Sequence, residues 1–445
     1  MSSFSKDSLI SFLTGILVFI FGFFSIIIIS RVLGPEGRGI YSLIILIPGM
    51  IMTFGNLGLG AGNVYFVGSK KYKIGDVVSN SLILAILVGF ILILFFWGLL
   101  QFNPFQKFIL NNHIPSLYLW MVILAMPLSL LLSFFQDIIR GRGDITNYNW
   151  VRIFQSFIEL LAIIFFVLIL KENIFGAVLS NVIAVVGAAL FVIFLVTKIN
   201  KLYIIFNKKL LKDSISYGGR IYLANAASFF SYRLDMFMIA WLLNPEVSAV
   251  AVGFYSIAVA MAEKLFMIPG AFATVLFPKI SSSNNKEADN FTPRVVRHTI
   301  LIVFIFSLIL AFLAKLLITI LFGSAFLPSV APLIILLPGI IAFSIGGVMA
   351  ADLSGRGKPQ FAVYSSIACI AVNFPLNLLL IPVWGINGAA FASTVAYSID
   401  TSIIIWAFLK ISKRSLKEVL IIQKQDFQDY LKILSNFKNF LQIKK

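Results

Sequence analysis

Seven ionisable side chains stand out because they lie within, or at the end of, long apolar stretches of the sequence. They are the cations Arg31, Arg233 and Lys264 and the carboxylates Glu159, Asp235, Glu263 and Asp400. A charge in the middle of a bilayer costs roughly 2.5–3.5 kcal/mol on insertion scales, so each of these residues is a candidate for function. Cations in such a place would bind an anionic group, whereas carboxylates would carry a coupling proton or sodium ion.

The same spacing leaves structural alternatives open for these charges. Arg233 and Asp235 lie two residues apart and Glu263 is adjacent to Lys264, so neither pair shares one face of a helix. Pairing between helices, Arg233 with Glu263 or Lys264 with Asp235, would explain the four charges without a ligand. The remaining two carboxylates are equally compatible with burial in a protonated or hydrogen-bonded form.

The elements that must position these charges are membrane helices. Hydrophobic residues make up 60% of the chain and charged residues only 12%, about half of what a soluble domain carries. Apolar stretches of about 20 residues, the length that crosses a bilayer, occur about twelve times. They run over residues 9–30, 40–67, 78–101, 114–136, 147–170, 174–197, 215–243, 248–278, 297–321, 328–351, 361–382 and 387–410. We therefore predict an all-α integral membrane protein with about twelve transmembrane helices.

The formal net charge of +17 is distributed unevenly among the connections between these spans. The even-numbered connections are rich in lysine and arginine, and the odd-numbered ones contain only Arg31, Arg38, Lys107 and Lys171. The positive-inside rule then places both termini in the cytoplasm, in a multi-pass protein of the plasma or inner membrane. The basic cytoplasmic tail, 412–445, would lie against the anionic inner leaflet of the lipid bilayer. The charge thus indicates topology, and no nucleic-acid partner is expected.

Two pairs of matching segments indicate an internal repeat. The segment IIRGRGDITNYN, at 138–149, matches DLSGRGKPQFAV, at 352–363, with a shift of 214 residues. Nearer the start, RVLGPEGRGIYSL matches WLLNPEVSAVAVGFYSI, with Tyr41 opposite Tyr255. Because the matches keep their order along the chain, they indicate a duplicated unit.

The repeat predicts two six-helix lobes, 1–197 and 215–411, joined by a basic cytoplasmic linker at 198–214. Since six is an even number, both lobes run in the same direction and are related by a pseudo-twofold axis along the membrane normal. Transporters built in this way bind their substrate between the repeats near the middle of the membrane. We therefore expect a central cavity between the two lobes.

Other sequence features argue against catalysis and against cofactors. The glycine-rich segment LGPEGRG, at 33–39, does not fit a Walker phosphate loop, and its position between two spans predicts a tight hairpin on the outer side. The chain has one cysteine, Cys369, and two histidines, which leaves no pattern typical of a metal site. We expect no metal, no cofactor and no enzyme active site.

With these segments in view, the sequence resembles the polysaccharide-exporter branch of the multidrug/oligosaccharidyl-lipid/polysaccharide flippase superfamily. In the first connection the resemblance is carried by Arg31, Leu33, Gly34, Pro35, Gly37, Gly39 and Tyr41. The first GRG turn (Gly141–Gly143), the second GRG turn (Gly355–Gly357) and the segment Gly385–Ala390 also resemble this family. The resemblance extends over all the predicted spans and leaves out only the tail.

The resemblance implies two six-helix lobes that open a central cavity to each side of the membrane in turn. It implies a substrate made of an oligosaccharide on polyprenyl pyrophosphate, moved from the cytoplasmic to the outer face for O-antigen, capsule or exopolysaccharide synthesis. Polysaccharide polymerase and assembly proteins are the implied partners. Arg31, Arg233 and Lys264 would then meet the pyrophosphate, since an arginine fork matches phosphate oxygens. Sugar specificity would involve polar side chains such as Asn56, Asn63, Tyr65 and Asn225.

Three other functions stay open at this level. A multidrug or cation antiporter of the same fold would suit the four carboxylates, although its cavity should hold few cations. A peptidoglycan-precursor flippase usually has more spans than the chain provides. A membrane polymerase or ligase for lipid-linked sugars would carry a large external loop, whereas the longest external connection here covers roughly 102–113. We therefore predict a lipid-linked oligosaccharide flippase and not an enzyme.

Overall fold

The computed structural model describes residues 3–200, 203–282, 285–423 and 425–426, and the regular elements in these ranges are helices. The first eight are α1 Ser3–Gly55, α2 Leu59–Gly68, α3 Ile74–Leu100, α4 Asn103–Asn111, α5 Ser116–Leu124, α6 Met126–Gly141, α7 Ile145–Ile163 and α8 Asn173–Ile199. The others are α9 Lys208–Leu242, α10 Pro245–Ala262, α11 Met267–Ser282, α12 Asn285–Phe322, α13 Val330–Gly355, α14 Gln360–Ser412 and α15 Leu416–Leu420. Shorter π and 3-10 segments are Ile164–Ile169, Glu263–Phe266 and Ser324–Ser329. The predicted all-α fold is confirmed.

Nine candidate membrane spans occur in the part of the chain that the structure describes. Two of them lie in α1 and α14, which are each 53 residues long. A straight helix of that length measures about 80 Å, more than twice the ~30 Å hydrocarbon core. α14 contains two predicted spans, and α1 contains one and the first part of a second. Each helix is interrupted at one glycine, Gly34 with φ 66° and Gly385 with φ 57°. The number of twelve spans stays a prediction.

The segment 33–39, predicted as a tight hairpin, contains a break in the helical backbone at one residue. Only Gly34 departs from helical φ and ψ, with ψ −176°, and helix continues on both sides of it. Pro35 follows at once, where a helix tolerates proline because the first turn needs no amide hydrogen. The expected positive φ at a glycine is present, but the loop is reduced to a kink at a single residue.

The described chain divides into two compact units. The first unit comprises residues 1–257, 316–329 and 377–389. The second unit comprises residues 258–315, 330–376 and 390–445. These bounds differ from those of the two predicted lobes, and the two-lobe division stays a prediction.

In the first unit, α6 is a largely buried helix. Leu130, Phe134 and Ile138 are completely buried, and their spacing of four residues places them in one row along the helix. Where α3 crosses α6, a Cβ on Gly89 would lie 2.6 Å from the Cα of Pro127. Glycine is therefore required for the close approach of these two helices, which fixes the end of α6 relative to α3.

In the second unit, α11, α12, α13 and α14 share one apolar core. Its members include Val296, Val348, Leu353 and Phe408, each at most 1% exposed. The short helix α15 joins this core, and Ser415 and Glu418 at its start form a reciprocal capping box. The predicted position of the basic tail on the inner leaflet concerns mainly residues 427–445, which lie outside the described residues.

Candidate functional site

A cavity of about 580 Å³ opens in the first unit between the end of α1, the start of α2, α6 and α9. The residues that line it are Gly49, Met52, Thr53, Asn56, Gly58, Gly60, Ala61, Asp137, Arg140, Tyr222, Ala226 and Phe229. Its polar side chains are the Asp137–Arg140 ion pair, the amide of Asn56 and the hydroxyl groups of Thr53 and Tyr222, and its aromatic residues belong to α9. Such a mixture of apolar surface and a few convergent polar groups is typical of ligand cavities.

The break between α1 and α2 shapes one wall of this cavity. Leu57 and Gly58 both have positive φ, 50° and 79°, and α2 begins at the next residue. A Cβ on Gly58 would lie 2.4 Å from the carbonyl carbon of Gly218, so only glycine lets this break touch the backbone of α9. A Cβ on Gly60 would lie 2.3 Å from Oδ2 of Asp137, so this second glycine makes room for a carboxylate.

The ion pair on α6 is the chemically distinctive part of the wall. Nη2 of Arg140 lies 3.1 Å from Oδ1 of Asp137, one helical turn away. The Asp137 side chain is 17% exposed and that of Arg140 is 46% exposed, so the guanidinium keeps donors available to a ligand. The guanidinium also lies 6.0 Å from the centre of the Tyr148 ring. An oriented, accessible arginine of this kind binds phosphate or carboxylate groups through two parallel hydrogen bonds.

Below the cavity, α2 and α9 run against each other along a contact that we call the α2–α9 seam. It begins at Gly58 and Gly218, and farther along a Cβ on Gly62 would lie 2.8 Å from Cβ of Ser214. Next in the seam, the rings of Tyr65 and Tyr217 stack with their centroids 4.2 Å apart. Small residues let the two backbones approach, and the tyrosines then close the contact.

The seam ends in a polar cluster around Asp213. Lys71 Nζ donates to Oδ2 of Asp213 at 2.8 Å, and the Tyr72 hydroxyl donates to the same oxygen at 2.7 Å. These two hydrogen bonds hold the pKa of the Asp213 carboxyl below its usual value. The Asp213 carboxylate is therefore charged at neutral pH, and one of its two oxygens accepts both hydrogen bonds.

Just after the kink at Gly34, α1 crosses α10, and one glycine from each helix, Gly39 and Gly253, lies at the crossing. A Cβ on Gly39 would lie 1.7 Å from the Ala249 carbonyl oxygen, and a Cβ on Gly253 would lie 1.9 Å from the Pro35 carbonyl oxygen. The register that places Tyr41 opposite Tyr255 also places these residues opposite each other. The crossing is thus a reciprocal contact within the first unit, in which each glycine faces a backbone carbonyl of the other helix.

Arg38, which the sequence marks only as a charge in the first connection, is buried beside this crossing. It is 8% exposed, and its Nε donates to Oγ of Ser256 at 3.3 Å. The Arg38 guanidinium carbon lies 5.7 Å from the centre of the Tyr41 ring. The arginine of the LGPEGRG segment is therefore part of the helix packing.

The three predicted cations lie in three different surroundings. Arg31 caps the end of α12, because its Nε donates to the Leu321 carbonyl at 2.8 Å and its Nη2 to the Ile320 carbonyl. Arg233 is half-buried on α9, one turn beyond the cavity residue Phe229. Lys264 is half-buried in the second unit, in the 3-10 turn between α10 and α11.

Three of the predicted carboxylates are hydrogen-bonded to neutral side chains within their own unit. Asp235, which is 2% exposed, accepts a hydrogen bond from the Tyr255 hydroxyl. Glu159 is bonded to Asn181 and Asp400 to Ser365. The fourth, Glu263, is half-buried in the turn that also contains Lys264. None of the seven predicted charges is among the described residues that line the cavity.

The polar residues expected to set sugar specificity also lie in different parts of the structure. Asn56 lines the cavity. Asn63 is buried in the packing of the first unit, where its Nδ2 donates to Ser81 Oγ at 2.9 Å, and Tyr65 belongs to the α2–α9 seam. The side chain of Asn225 lies outside the described part of the structure.

Asp137 and Arg140 are the cavity charges that sequence reasoning missed. They lie just beyond a predicted span, where Arg140 counts only toward the positive-inside signal. The repeat itself contains a usable signal, because the shift of 214 residues places Ala351 and Ser354 opposite them. An ion pair present in one copy and absent from the other marks a position that the duplication does not require for packing.

Comparison with known proteins identifies relatives over most of the chain. A family model described as Polysaccharide biosynthesis protein matches residues 4–284. A membrane protein of Methanocaldococcus jannaschii is 25% identical over 89% of this chain and 77% of its own length. A protein of Shigella flexneri, named as an O-antigen transporter, is 23% identical over 86% of this chain and 92% of its own length.

Solved structures of the same fold come from membrane transporters. The lipid II flippase MurJ in an inward closed conformation superposes with a TM-score of 0.73, at 16% identity, over 98% of this chain and 97% of its own. An inward-facing multidrug transporter of the MATE family and MOP superfamily superposes with a TM-score of 0.72, at 14% identity, over 89% and 95%. At these identities the likeness concerns the fold alone.

Proposed function

Because the chain belongs to the polysaccharide biosynthesis protein family, within the MOP superfamily, we propose that it is a flippase for lipid-linked oligosaccharides. Support comes from relatives named as an O-antigen transporter and as a glycan biosynthesis flippase, and from the fold shared with a lipid II flippase. The substrate proposed in detail is an oligosaccharide on polyprenyl pyrophosphate. It moves from the cytoplasmic to the outer face for the synthesis of surface polysaccharide.

The observation that carries this proposal is the cavity with its Asp137–Arg140 pair. A polar headgroup that crosses a bilayer needs hydrogen-bonding partners along its way, since unsatisfied polar groups in hydrocarbon cost several kcal/mol. Arg140 offers a guanidinium to the pyrophosphate, and Asp137 holds that guanidinium in place from one turn away. Asn56 and the aromatic residues of α9 offer an amide and flat apolar faces to the first sugar.

The α2–α9 seam is proposed as the cytoplasmic gate of an alternating-access cycle. Its parts are individually weak: a ring stack contributes about 0.5–1.5 kcal/mol, and the Lys71–Asp213 ion pair is exposed to solvent, where ion pairs contribute little. A closed seam of this kind separates at a cost of a few kcal/mol, which substrate binding can supply. The glycine crossing of α1 and α10, about 15 Å along α1 from Gly49, is proposed as the contact that opens on the outer side.

The predicted charges keep proposed roles outside the present cavity. Arg233, one turn from Phe229, is the cation of the first unit best placed to take over the pyrophosphate as the cavity opens outward. Lys264, in the second unit, is retained as a proposed substrate-binding cation. Arg31 is proposed to act only as a cap of α12, since two carbonyls already accept from its guanidinium. Glu159, Asp235, Glu263 and Asp400 are retained as candidates for ion coupling.

A multidrug or cation antiporter is the second candidate function. The observation that favours it is Asp137, a carboxylate in the cavity wall that would attract a cation. Its 3.1 Å contact with Arg140 opposes this reading, because the pair has no net charge and exposes its cationic member more. The antiporter therefore ranks below the flippase.

Reconstituted liposomes distinguish the two functions. Movement of a fluorescent polyprenyl-pyrophosphate oligosaccharide is followed together with a cationic dye, under an imposed proton or sodium gradient. The flippase proposal expects movement of the glycolipid and none of the dye. Movement of the dye alone would replace it with the antiporter.

The gate is tested by linking the two tyrosines. Tyr65→Cys and Tyr217→Cys are combined in a Cys369→Ser background, which removes the single cysteine of the chain, and are joined with a short bifunctional thiol reagent. Transport should stop in the linked protein and continue in either single-cysteine variant treated in the same way. Undiminished transport after linking would show that the seam does not gate the cavity.

We further propose that the protein resides in the plasma or inner membrane with both termini in the cytoplasm, and acts beside a polysaccharide polymerase and assembly proteins. The charge distribution supports this topology. A cysteine placed at Lys171, in a connection expected outside, should react with a membrane-impermeant thiol reagent in intact cells. A cysteine placed at Arg142, in the first GRG turn, should react only after permeabilisation, and the reverse pattern would overturn the topology.

A further inference from the structure

The connection between α8 and α9 lies across the start of α3. Residues 203–207 of this connection, which we call the docked linker, are non-helical. The Ile205 amide donates to Ser79 Oγ at 2.6 Å. Asn80 forms two hydrogen bonds with Asn207, because its Oδ1 accepts from the Asn207 amide and its Nδ2 donates to the Asn207 carbonyl, each at 2.8 Å. Two polar side chains of α3 thus bind the backbone of the docked linker much as a neighbouring strand would.

The side chains at the two ends of the docked linker are also bonded to α3. The Tyr203 hydroxyl donates to Oδ1 of Asp76 at 3.3 Å, and Nδ2 of Asn207 donates to Oδ2 of the same carboxylate at 3.4 Å. A Cβ on Gly75 would lie 1.8 Å from the Tyr203 hydroxyl oxygen, so glycine makes room for this tyrosine. The docked linker is therefore fixed to α3 by its backbone and by both of its ends.

Between these two ends, the apolar side chains of the docked linker lie on the surface. Ile204 is 81% exposed, Ile205 is 58% exposed and Phe206 is 48% exposed. Because the backbone is bonded to α3, these side chains are kept at the surface. Exposed apolar groups that lie together mark a surface that contacts another protein or a membrane.

The position of α3 places the docked linker at the edge of the bilayer. The candidate span that contains α3 covers 28 residues, Ile74–Gln101. At about 1.5 Å per residue it measures about 42 Å, whereas the hydrocarbon core is about 30 Å thick, so the ends of the span extend into the headgroup layers. In the charge-based topology the start of α3 is the cytoplasmic end. The docked linker therefore lies where the cytoplasmic leaflet meets water.

The exposed charge around the docked linker is mainly positive. Exposed lysines lie just before α3, at the end of α8 and in the first turns of α9: Lys73, Lys198, Lys208, Lys209 and Lys212. Two carboxylates at the same places already accept hydrogen bonds, Asp76 from the docked linker and Asp213 in the polar cluster of the α2–α9 seam. Clusters of about four to eight lysines or arginines at the cytoplasmic end of a membrane span bind anionic lipids.

We propose that the docked linker and these lysines form a binding surface for anionic lipid headgroups of the cytoplasmic leaflet. Ile204, Ile205 and Phe206 enter the boundary between headgroups and acyl chains, and the lysines bind the lipid phosphates. The location at the end of a span favours lipid over an acidic protein as the occupant. The proposal does not depend on the transported substrate, and the topology that it uses is tested separately by the thiol labelling described above.

Power-saturation EPR on the full chain in nanodiscs tests the proposal. A nitroxide is attached to Ile204→Cys in the Cys369→Ser background, and its accessibility to oxygen and to a neutral, water-soluble nickel chelate is measured. Addition of phosphatidylglycerol to phosphatidylcholine nanodiscs should lower the accessibility to the chelate about twofold or more and raise the accessibility to oxygen. At about 1 M salt, where the Debye length is about 3 Å, the two lipid mixtures should give the same accessibility.

Matched lysine variants test the role of the charges. In the combined Lys208→Gln and Lys209→Gln variant, the dependence on phosphatidylglycerol at position 204 should be lost. The control combines Lys107→Gln and Lys171→Gln, because these are exposed lysines in connections expected on the outer side. The control should keep the lipid dependence of the native lysine set.

The outcomes distinguish lipid binding from its alternatives. Equal accessibility in the two lipid mixtures, or an unchanged lipid dependence in the Lys208 and Lys209 variant, would overturn the proposal and leave the docked linker as a structural connection only. Shielding of the label by added polyglutamate, without shielding by phosphatidylglycerol, would indicate an acidic protein partner and would also overturn it.

Discussion

The two GRG turns, related by the internal repeat, end their helices with the same backbone geometry. In the first, the Asp144 amide donates to the Ile139 carbonyl at 3.2 Å, and in the second, the Lys358 amide donates to the Leu353 carbonyl at 2.8 Å. The last glycine of each turn has a positive φ, 75° and 74°. Both are Schellman motifs, in which glycine supplies the left-handed residue that ends the helix.

The side chains around the second turn form a network of ion pairs centred on the buried Arg356. Arg356 Nε lies 2.6 Å from Asp352 and Arg356 Nη1 lies 2.7 Å from Asp289, and the Arg356 side chain is only 6% exposed. Thr292 also donates to Asp352, at 2.5 Å. The arginine of this turn thus ties α13 to α12 within the second unit.

The first turn uses its charges differently. Arg142, the counterpart of Arg356, is exposed, while Arg140 and Asp137 line the cavity. The turn also packs on α2, one of the two helices of the proposed gate, since a Cβ on Gly141 would lie 2.8 Å from the Val64 carbonyl. The two turns therefore share one backbone motif and use their charges differently: the second turn stabilises its unit, and the first leaves its charges accessible to a ligand.

The largest effect, a loss of stability, is expected when the ion-pair network of the second turn is disrupted. Arg356→Gln leaves the buried Asp352 and the half-buried Asp289 without their cation, and leaving a buried charge unpaired usually costs about 3–5 kcal/mol. A strongly lowered thermal unfolding midpoint is expected in detergent. The matched control Arg142→Gln removes an exposed charge and should change stability by no more than about 0.5 kcal/mol. Equal losses in both variants would contradict the division of roles.

A smaller effect is expected from crowding the ion pair of the first turn. Gly60→Ala places a methyl group 2.3 Å from the Asp137 carboxylate, so the carboxylate must move away from Arg140. We expect a loss of about 1–3 kcal/mol in stability, as in overpacked cores, together with a marked loss of transport. Gly219→Ala is the control, since no atom outside its own helix lies within 4 Å of that Cβ. Native transport in Gly60→Ala would mean that the position of the pair is unimportant.

The smallest effect is expected in the pH dependence of the distance across the α2–α9 seam, the proposed gate. Hydrogen bonds from Lys71 and Tyr72 lower the pKa of Asp213, so these contacts stabilise the seam above the ordinary aspartate value of about 3.9 and are lost as the pH falls through the lowered value. Spin labels at positions 70 and 212, in the Cys369→Ser background, report the separation. Their distance distribution should broaden as the pH is lowered from neutrality until Asp213 takes up a proton.

Asp213→Asn supplies the control for the gate. An asparagine cannot form the ion pair with Lys71, so the broad distribution should already be present at neutral pH and should change little on acidification. A native seam that stays narrow after Asp213 has taken up a proton would show that Asp213 does not hold it closed. An Asp213→Asn distance distribution as narrow as that of the native protein at neutral pH would lead to the same conclusion.

The sequence predicts the helices well because apolar length determines a membrane span directly. It also places the kink at Gly34, since a glycine before a proline is compatible with the break that the chain needs there. It does not predict that Arg31 caps α12 or that Arg38 packs beside Ser256, because these partners lie 289 or more and 218 residues away in the chain. Long-range pairing of this kind is set by the tertiary structure.

The cavity was less accessible to sequence reasoning than the helices. A charge inside an apolar stretch attracts attention, yet Asp235 proves to be bonded to Tyr255 in the helix packing. Asp137 and Arg140 lie at the end of a span, where charges are common and carry no signal of their own. Only the missing counterparts in the second copy of the repeat distinguish them.

The central claim, that Arg140 serves the substrate while the rest of its turn serves the fold, is tested most directly by comparing two single variants in the liposome assay. Arg140→Gln and Arg142→Gln are reconstituted in equal folded amounts, and the initial rate of glycolipid movement is measured. Loss of one charged hydrogen bond to a phosphate, about 1.5–3 kcal/mol, predicts at least a tenfold lower rate for Arg140→Gln and a native rate for Arg142→Gln. Native rates in both variants would contradict the account.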